Sequence, residues 1–221
     1  MDLVQLVDLN ARKFGDKDCL RYEGASLSFH QLKEEAERVA GLLQSWGVSR
    51  GDKVAVMSYN NLDFVKIFYG VLKAGAVVVP MNHKLAAPEA DYILEHSESK
   101  IFFFDGALKE IAEKIVSGAR KVATNSEAEG FDFLNDLLNT ASPFSAVEVK
   151  EDDYAEILYT SGTTGKPKGC LHSHRNVIFA GITGALCVKM DELDRLLMAM
   201  PIWHSSPLNN WFIGAQYVGA T

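Results

Sequence analysis

Apolar residues recur along the chain with two alternating periods. Leu3, Leu6 and Val7, continued through Asn10 to Phe14, predict a short amphipathic helix. Cys19-Leu20-Arg21-Tyr22 and Leu27-Ser28-Phe29 flank Glu23-Gly24-Ala25-Ser26 and predict a hairpin. Ser28 and Gln31 form a capping box, after which Leu32, Ala36, Val39, Leu43 and Trp46 keep helical spacing until Gly47. On the polar side, Glu34 and Arg38 are spaced for an i,i+4 ion pair worth about 0.2–0.5 kcal/mol.

The pattern then alternates. Val54–Met57, Ala76–Pro80 and Ile101–Phe104 read as strands, separated by helices over about Leu62–Ala74 and Pro88–His96. Leu108, Ile111, Ala112, Ile115, Val116 and Ala119 predict a further helix, Val122-Ala123 a short strand, and Phe131, Phe133, Leu134, Leu137 and Leu138 a short helix. Strands alternating with helices define an α/β chain with a largely parallel sheet. The Leu62–Ala74 helix is apolar around most of its circumference, with only Asp63, Lys66 and Lys73 as a polar stripe, which predicts deep burial. Ser142–Asp153, with Pro143 and the acidic run Glu151-Asp152-Asp153, reads as a connector. Residues 1–150 are therefore expected to form a first α/β subdomain and 151–221 the start of a second. Within the latter, Asn176–Val188 and Pro207–Val218 predict helices and Leu196–Met200 a buried strand.

Composition narrows the class. The 221 residues carry a formal charge of −7, which disfavours nucleic acid as a partner, since phosphate-backbone binding needs basic surface. Charge is nonetheless uneven: Thr160 to Met190 contains no Asp or Glu but does contain Lys166, Lys168, Arg175 and Lys189. Such a stretch suits a small polyanion. Cys19, Cys170 and Cys187 give neither a CxxC spacing nor a disulfide framework, so a reducing, cytoplasmic location is expected. No basic-then-apolar leader follows Met1, and the apolar run Ile178–Val188 is shorter than the ~20 residues a bilayer requires. Peripheral membrane contact stays open, and oligomeric state is not encoded.

The densest chemistry follows the apolar Ile157-Leu158-Tyr159. Thr160-Ser161-Gly162-Thr163-Thr164-Gly165-Lys166-Pro167-Lys168-Gly169 combines glycines that let backbone N–H groups converge on an anion with hydroxyl donors and two cations. A flexible small-residue linker would not bracket a proline with lysines. An ATPase P-loop, GxxxxGK[ST], is also excluded. Its first glycine is missing, Pro167 replaces the Ser/Thr, and a residue before proline is turned away from helical geometry. His172 and His174 would share one face of a strand, but with only Cys170 nearby they do not define a zinc site, and no metal ligands are assigned. Met198 and Met200 read as core. Without further context, Trp203 and His204 read as a strand end.

The segment Tyr159 to Gly169, continued by His174 and Asn176, resembles the signature loop of the AMP-forming acyl-adenylate superfamily, with Ser173 in place of the usual Thr. Acyl-CoA synthetases, peptide-synthetase adenylation domains and luciferases belong to it. Pro201-Ile202-Trp203-His204 resembles the family's proline-aromatic-His element, and Gly214 to Thr221 a point well inside its large N-terminal domain. The resemblance implies that Thr160, Ser161, Gly162, Thr163, Thr164, Gly165, Lys166 and Lys168 bind the ATP phosphates. It also implies that Trp203 shapes the acyl pocket and that His204 acts beside the reacting carboxylate. The implied reaction couples a carboxylic acid to ATP as acyl-AMP and then to coenzyme A, with Mg²⁺. Fatty acids are the expected substrates, and an aromatic or other carboxylic acid the alternative. The family's Mg²⁺-holding Glu, ribose-gripping Asp and C-terminal lysine are expected downstream of Thr221, so this portion alone is expected to be inactive. The competing class is a non-catalytic protein that binds nucleotide or a partner.

Overall fold

The structure is a computed structural model that describes residues 1–160 and 166–221. Helix α1 (Leu3–Phe14) starts at Asp2, whose carboxylate accepts from the Gln5 N–H at 2.8 Å. Strands β1 (Asp18–Tyr22) and β2 (Ala25–Ser28) pair antiparallel, and Ser28 caps helix α2 (Phe29–Ser45) through the expected box with Gln31. The α/β alternation follows: β3 (Lys53–Met57), α3 (Leu62–Lys73), β4 (Val77–Met81), α4 (Ala87–Ser97), β5 (Ser99–Asp105), α5 (Lys109–Lys114), β6 (Arg120–Thr124), β7 (Asp132–Phe133) and α6 (Leu134–Leu138). The remainder is β8 (Tyr154–Thr160), β9 (Lys168–Ser173), α7 (His174–Val188), a π-helical segment Ser206–Phe212, and α8 (Ile213–Val218).

Seven strands form one sheet in the order β7-β6-β5-β3-β4-β8-β9. Every neighbouring pair is parallel except β8–β9. Alternate residues of β3 feed two cores. Val54 and Val56 pack with α1, α2 and α3 on one face, and Ala55 and Met57 pack with α4 and α5 on the other. Burial on both faces is why these strands read as continuous apolar runs. Helix α3 is buried along its length as its composition predicts, and even Lys73 is 1% exposed, its ammonium 2.6 Å from Asp8 and 3.3 Å from Glu37.

Four local expectations are corrected. Leu196–Met200 is not a buried strand: it pairs with no strand among the described residues, and Leu197 is 87% exposed. The helix expected to run to Ala119 stops at Lys114, because the Asp91 carboxylate takes the N–H groups of Val116 and Ser117 (3.1 and 2.8 Å) and draws the chain out of register. Phe133 belongs to a strand paired with β6, and the helix begins only at Leu134. Arg38 reaches Glu35 at 2.6 Å rather than Glu34, which lies beside His30.

Candidate functional site

The signature segment sits on a β-hairpin. Thr160 closes β8 opposite Lys168, which opens β9, so positions 161–167 bridge two antiparallel strands. Ser161, Gly162, Thr163, Thr164 and Gly165 lie outside the described residues. Thr160, Lys166 and Lys168 are described, and all three are exposed.

The β8 stem and the C-terminal end of the bridge rest on α4. The Tyr159 hydroxyl lies 2.7 Å from His96 Nδ1, and His96 stacks on Tyr92 at 5.3 Å between ring centres. Tyr92 donates to the Pro167 carbonyl at 3.4 Å, and the Lys166 ammonium stands 5.5 Å from the centre of the Tyr92 ring. Burial pushes the Tyr159 hydroxyl up to about 12, so it remains protonated at neutral pH.

The second expected element lies where β3 and β4 end, the edge of a parallel sheet at which open α/β folds bind ligands. Tyr59 and Asn60 follow β3, and His83 follows β4. Asn60 Nδ2 donates to the carbonyls of Met198 (3.0 Å) and Met200 (2.9 Å), while its Oδ1 accepts from the Ile202 N–H (2.9 Å). Trp203 Nε1–H donates to His83 Nδ1 at 3.1 Å, and the Trp203 and His204 rings lie 3.6 Å apart. Trp203 is half-buried and His204 exposed. Desolvation is the main cause that holds His83 below the usual histidine range, with Lys84 adding to it.

The hairpin and the segment after His204 are joined by a buried carboxylate. Glu156 Oε1 accepts from Asn209 Nδ2 at 2.7 Å and lies 2.9 Å from His172 Nδ1, the residue facing it across the hairpin. That hydrogen bond raises the His172 pKa against the opposing effect of burial. His172 and His174 do not share a strand face. Ser173 caps α7 between them, and His174 is its first residue, buried and accepting the Leu3 N–H at Nδ1 (3.3 Å). Among the described residues no three His, Cys, Asp or Glu side chains converge as a metal site.

Sequence reasoning named the lysines, Trp203 and His204 but not Tyr92, His96, Asn60, His83, Glu156 or Asn209. Asn60 stands beside Asn61, the α3 cap, and an Asn pair after a strand reads as capping alone.

The sequence profile described as AMP-binding enzyme matches residues 7–221. The chain belongs to this family. The resemblance carried by Tyr159–Gly169 is thus the relationship found. Among AMP-binding enzymes, the chain is 36% identical over 191 residues to the long-chain-fatty-acid–CoA ligase FadD13 of Mycobacterium tuberculosis, covering 86% of this chain and 38% of that protein. It is 34% identical over 194 residues to a 2-succinylbenzoate–CoA ligase of Bacillus licheniformis, again covering 86% and 38%. It spans, then, 38% of the length of these two curated relatives. The solved structure of the anthranilate CoA ligase AuaEII with anthranoyl-AMP superposes on the whole chain and on 44% of its own, with a TM-score of 0.90 at 25% identity.

Proposed function

We propose that the chain is the N-terminal portion of an ATP-dependent, AMP-forming acid–CoA ligase. The carrying observation is the hairpin closed by Thr160 and Lys168 in a family-matched chain, because it places two lysines and a hydroxyl-rich bridge at one end of an acid-free stretch. In this reading Thr160, Ser161, Gly162, Thr163, Thr164, Gly165, Lys166 and Lys168 hold the β- and γ-phosphates. A substrate carboxylate oxygen attacks the α-phosphorus, and the bond from that phosphorus to pyrophosphate breaks. The thiol of coenzyme A then attacks the acyl carbonyl, loses its proton, and displaces AMP to give the thioester.

Lysines aimed at the leaving pyrophosphate act where negative charge accumulates, which is the electrostatic contribution that catalyses such displacements. His204 lies beside the carboxylate and Trp203 lines the acid pocket. Mg²⁺ is proposed to accompany the nucleotide; the described residues offer no cluster for it, and no step is assigned to it. Fatty acids are the proposed substrates. A second reading, an aromatic acid, is favoured by the row of rings Tyr59, His83, Trp203 and His204 and by the anthranilate-activating structural neighbour. The division at residue 150 and a cytoplasmic location belong to the same proposal.

The test is acid-dependent ATP–pyrophosphate exchange by the complete protein. Lys168→Ala and Thr163→Ala are each expected to slow exchange about 100-fold, the scale on which single transition-state donors act. Unchanged exchange in both variants would overturn the phosphate assignment. Replacing Trp203 by Ala is expected to shift the preferred acid, and an unaltered preference would remove Trp203 from the pocket.

A further inference from the structure

Pro201–His204 is placed by groups far away in sequence. Residues 196–200 make no strand ladder among the described residues, so their backbone must find partners elsewhere. Three of the groups in Met198–Ile202 find one partner, the Asn60 side chain. The amide is fully specified by this arrangement: both Nδ2 hydrogens go to carbonyls and Oδ1 takes an N–H. Flipping it would set an NH₂ against the Ile202 N–H and an oxygen against two carbonyl oxygens. Asn61 has the separate task of capping α3, with Oδ1 2.9 Å from the Phe64 N–H and Nδ2 3.0 Å from the buried Asp105.

The ring of Trp203 is fixed independently. An indole nitrogen can only donate, so His83 receives it at Nδ1 and carries its own proton on Nε2. His83 is itself held against Tyr59, with ring centres 4.5 Å apart. The backbone leading into Trp203 thus hangs from the end of β3, and its ring hangs from the end of β4.

We propose that Asn60 is a positioning residue for Trp203 and His204, and that His83, by setting the tilt of the Trp203 indole, is a specificity-determining residue for the carboxylic acid. The proposal rests on the reading of Trp203 and His204 as acid-pocket residues. Neither Asn60 nor His83 is assigned to the ATP phosphates, so their effects separate from those of the loop.

Two measurements decide it. In the complete protein with every other tryptophan, Trp46 and Trp211 included, replaced by Phe, Trp203 is the sole tryptophan. Asn60→Asp is nearly isosteric and keeps the acceptor, but it loses both donors and sets a carboxylate against two carbonyls. It is expected to raise acrylamide quenching of Trp203 about two-fold or more. His83→Phe is expected to do the same, while His83→Gln, which can still accept from the indole, returns most of the parent value. In the complete protein, Asn60→Asp is expected to raise KM for the acid about ten-fold or more with KM for ATP changed less than two-fold, the scale set by losing two hydrogen bonds. His83→Phe is expected to change the ratio of kcat/KM between a long-chain and an aromatic acid about five-fold, and His83→Gln to restore it. Quenching that stays at the parent value in both Asn60→Asp and His83→Phe overturns the placement. Altered quenching with an unchanged acid KM and acid ratio overturns the positioning role. If Asn60→Asp does not fold, the His83 pair carries the test. A complete protein with no acid-dependent exchange would count against the ligase reading and, with it, the specificity role, while the quenching result would still decide the geometry.

Discussion

His172 and His174 stand two positions apart and respond to pH in opposite directions. His174 is 1% exposed, and burial pushes its pKa from 6.5 down to about 4 despite the nearby Asp2 and Asp153. Below pH 6.5 the unfolded chain therefore takes up a proton that the folded chain refuses. The stability tied to the neutral ring is intact above about pH 6.5 and is lost progressively as pH falls toward 4, by roughly 3 kcal/mol at the limit. His172 has the reverse linkage: its pKa is raised by Glu156, so its contribution is present below pH 6.5 and is lost as pH rises through the raised value. Urea unfolding of the parent and of His174→Gln from about pH 7.5 to 4.5 should show the acid-side loss shrinking by most of that amount in the variant. An acid limb of unchanged depth would reject His174 as its source. The sequence held a usable signal for this difference. Ser173 and Asn176 exchange hydrogen bonds as a helix cap, which ends the strand between the two histidines. What stayed hidden was Glu156, whose burial depends on the neighbouring elements of the fold.

At the level of elements, the alternating periods carried the sheet and most helix limits, because both faces of the sheet are covered and the strands are apolar throughout. Two of the corrections share one cause. Asp91 ending α5, and Asn60 replacing a strand partner for Met198–Ile202, are tertiary interventions in segments whose local pattern favoured something else. The same limit explains the candidate site: its exposed lysines were legible as a cluster, whereas Tyr92, His96, Asn60 and His83 reach it across the fold. Helix α7 shows another dependence on tertiary contact. A Cβ on Gly184 would overlap the Asn210 carbonyl oxygen, and one on Gly181 would fall 2.7 Å from Ile213 Cγ2. Small residues at these positions let α7 lie close against the π-helical segment that follows His204 and against the start of α8. Gly184→Ala is expected to cost about 1–3 kcal/mol in urea unfolding, the usual scale of overpacking. Gly118→Ala, which meets no atom within 4 Å, should be neutral or slightly stabilising. Equal stability of the two variants would contradict this close approach.

For the whole molecule, the first twenty residues clasp the last thirty. Asn10 Nδ2 donates to the Gln216 carbonyl at 2.6 Å, Lys17 Nζ to the Gly219 carbonyl at 2.5 Å, and Thr221 Oγ1 to the Asp18 carbonyl at 2.7 Å. Gln216–Thr221 is thus tied to the N-terminus, whereas Met198–Ile202 hangs from Asn60 at the end of β3. The proposed phosphate bridge instead joins β8 and β9, two strands of the sheet, where Thr160 and Lys168 face each other across an antiparallel pair. A Walker loop opens a helix, and removing it would unmoor that helix. Here the bridge can be treated as an interchangeable part. Replacing positions 161–167 with Asn-Gly, the preferred two-residue hairpin turn, keeps the Thr160–Lys168 register. The grafted chain should unfold with the parent's cooperativity and, on the proposed phosphate reading, bind ATP less tightly than the parent, whereas a broadened transition would mean that the bridge helps hold the sheet. On the proposed reading, phosphate grip could then be altered in the bridge while the Thr160–Lys168 register beneath it is kept.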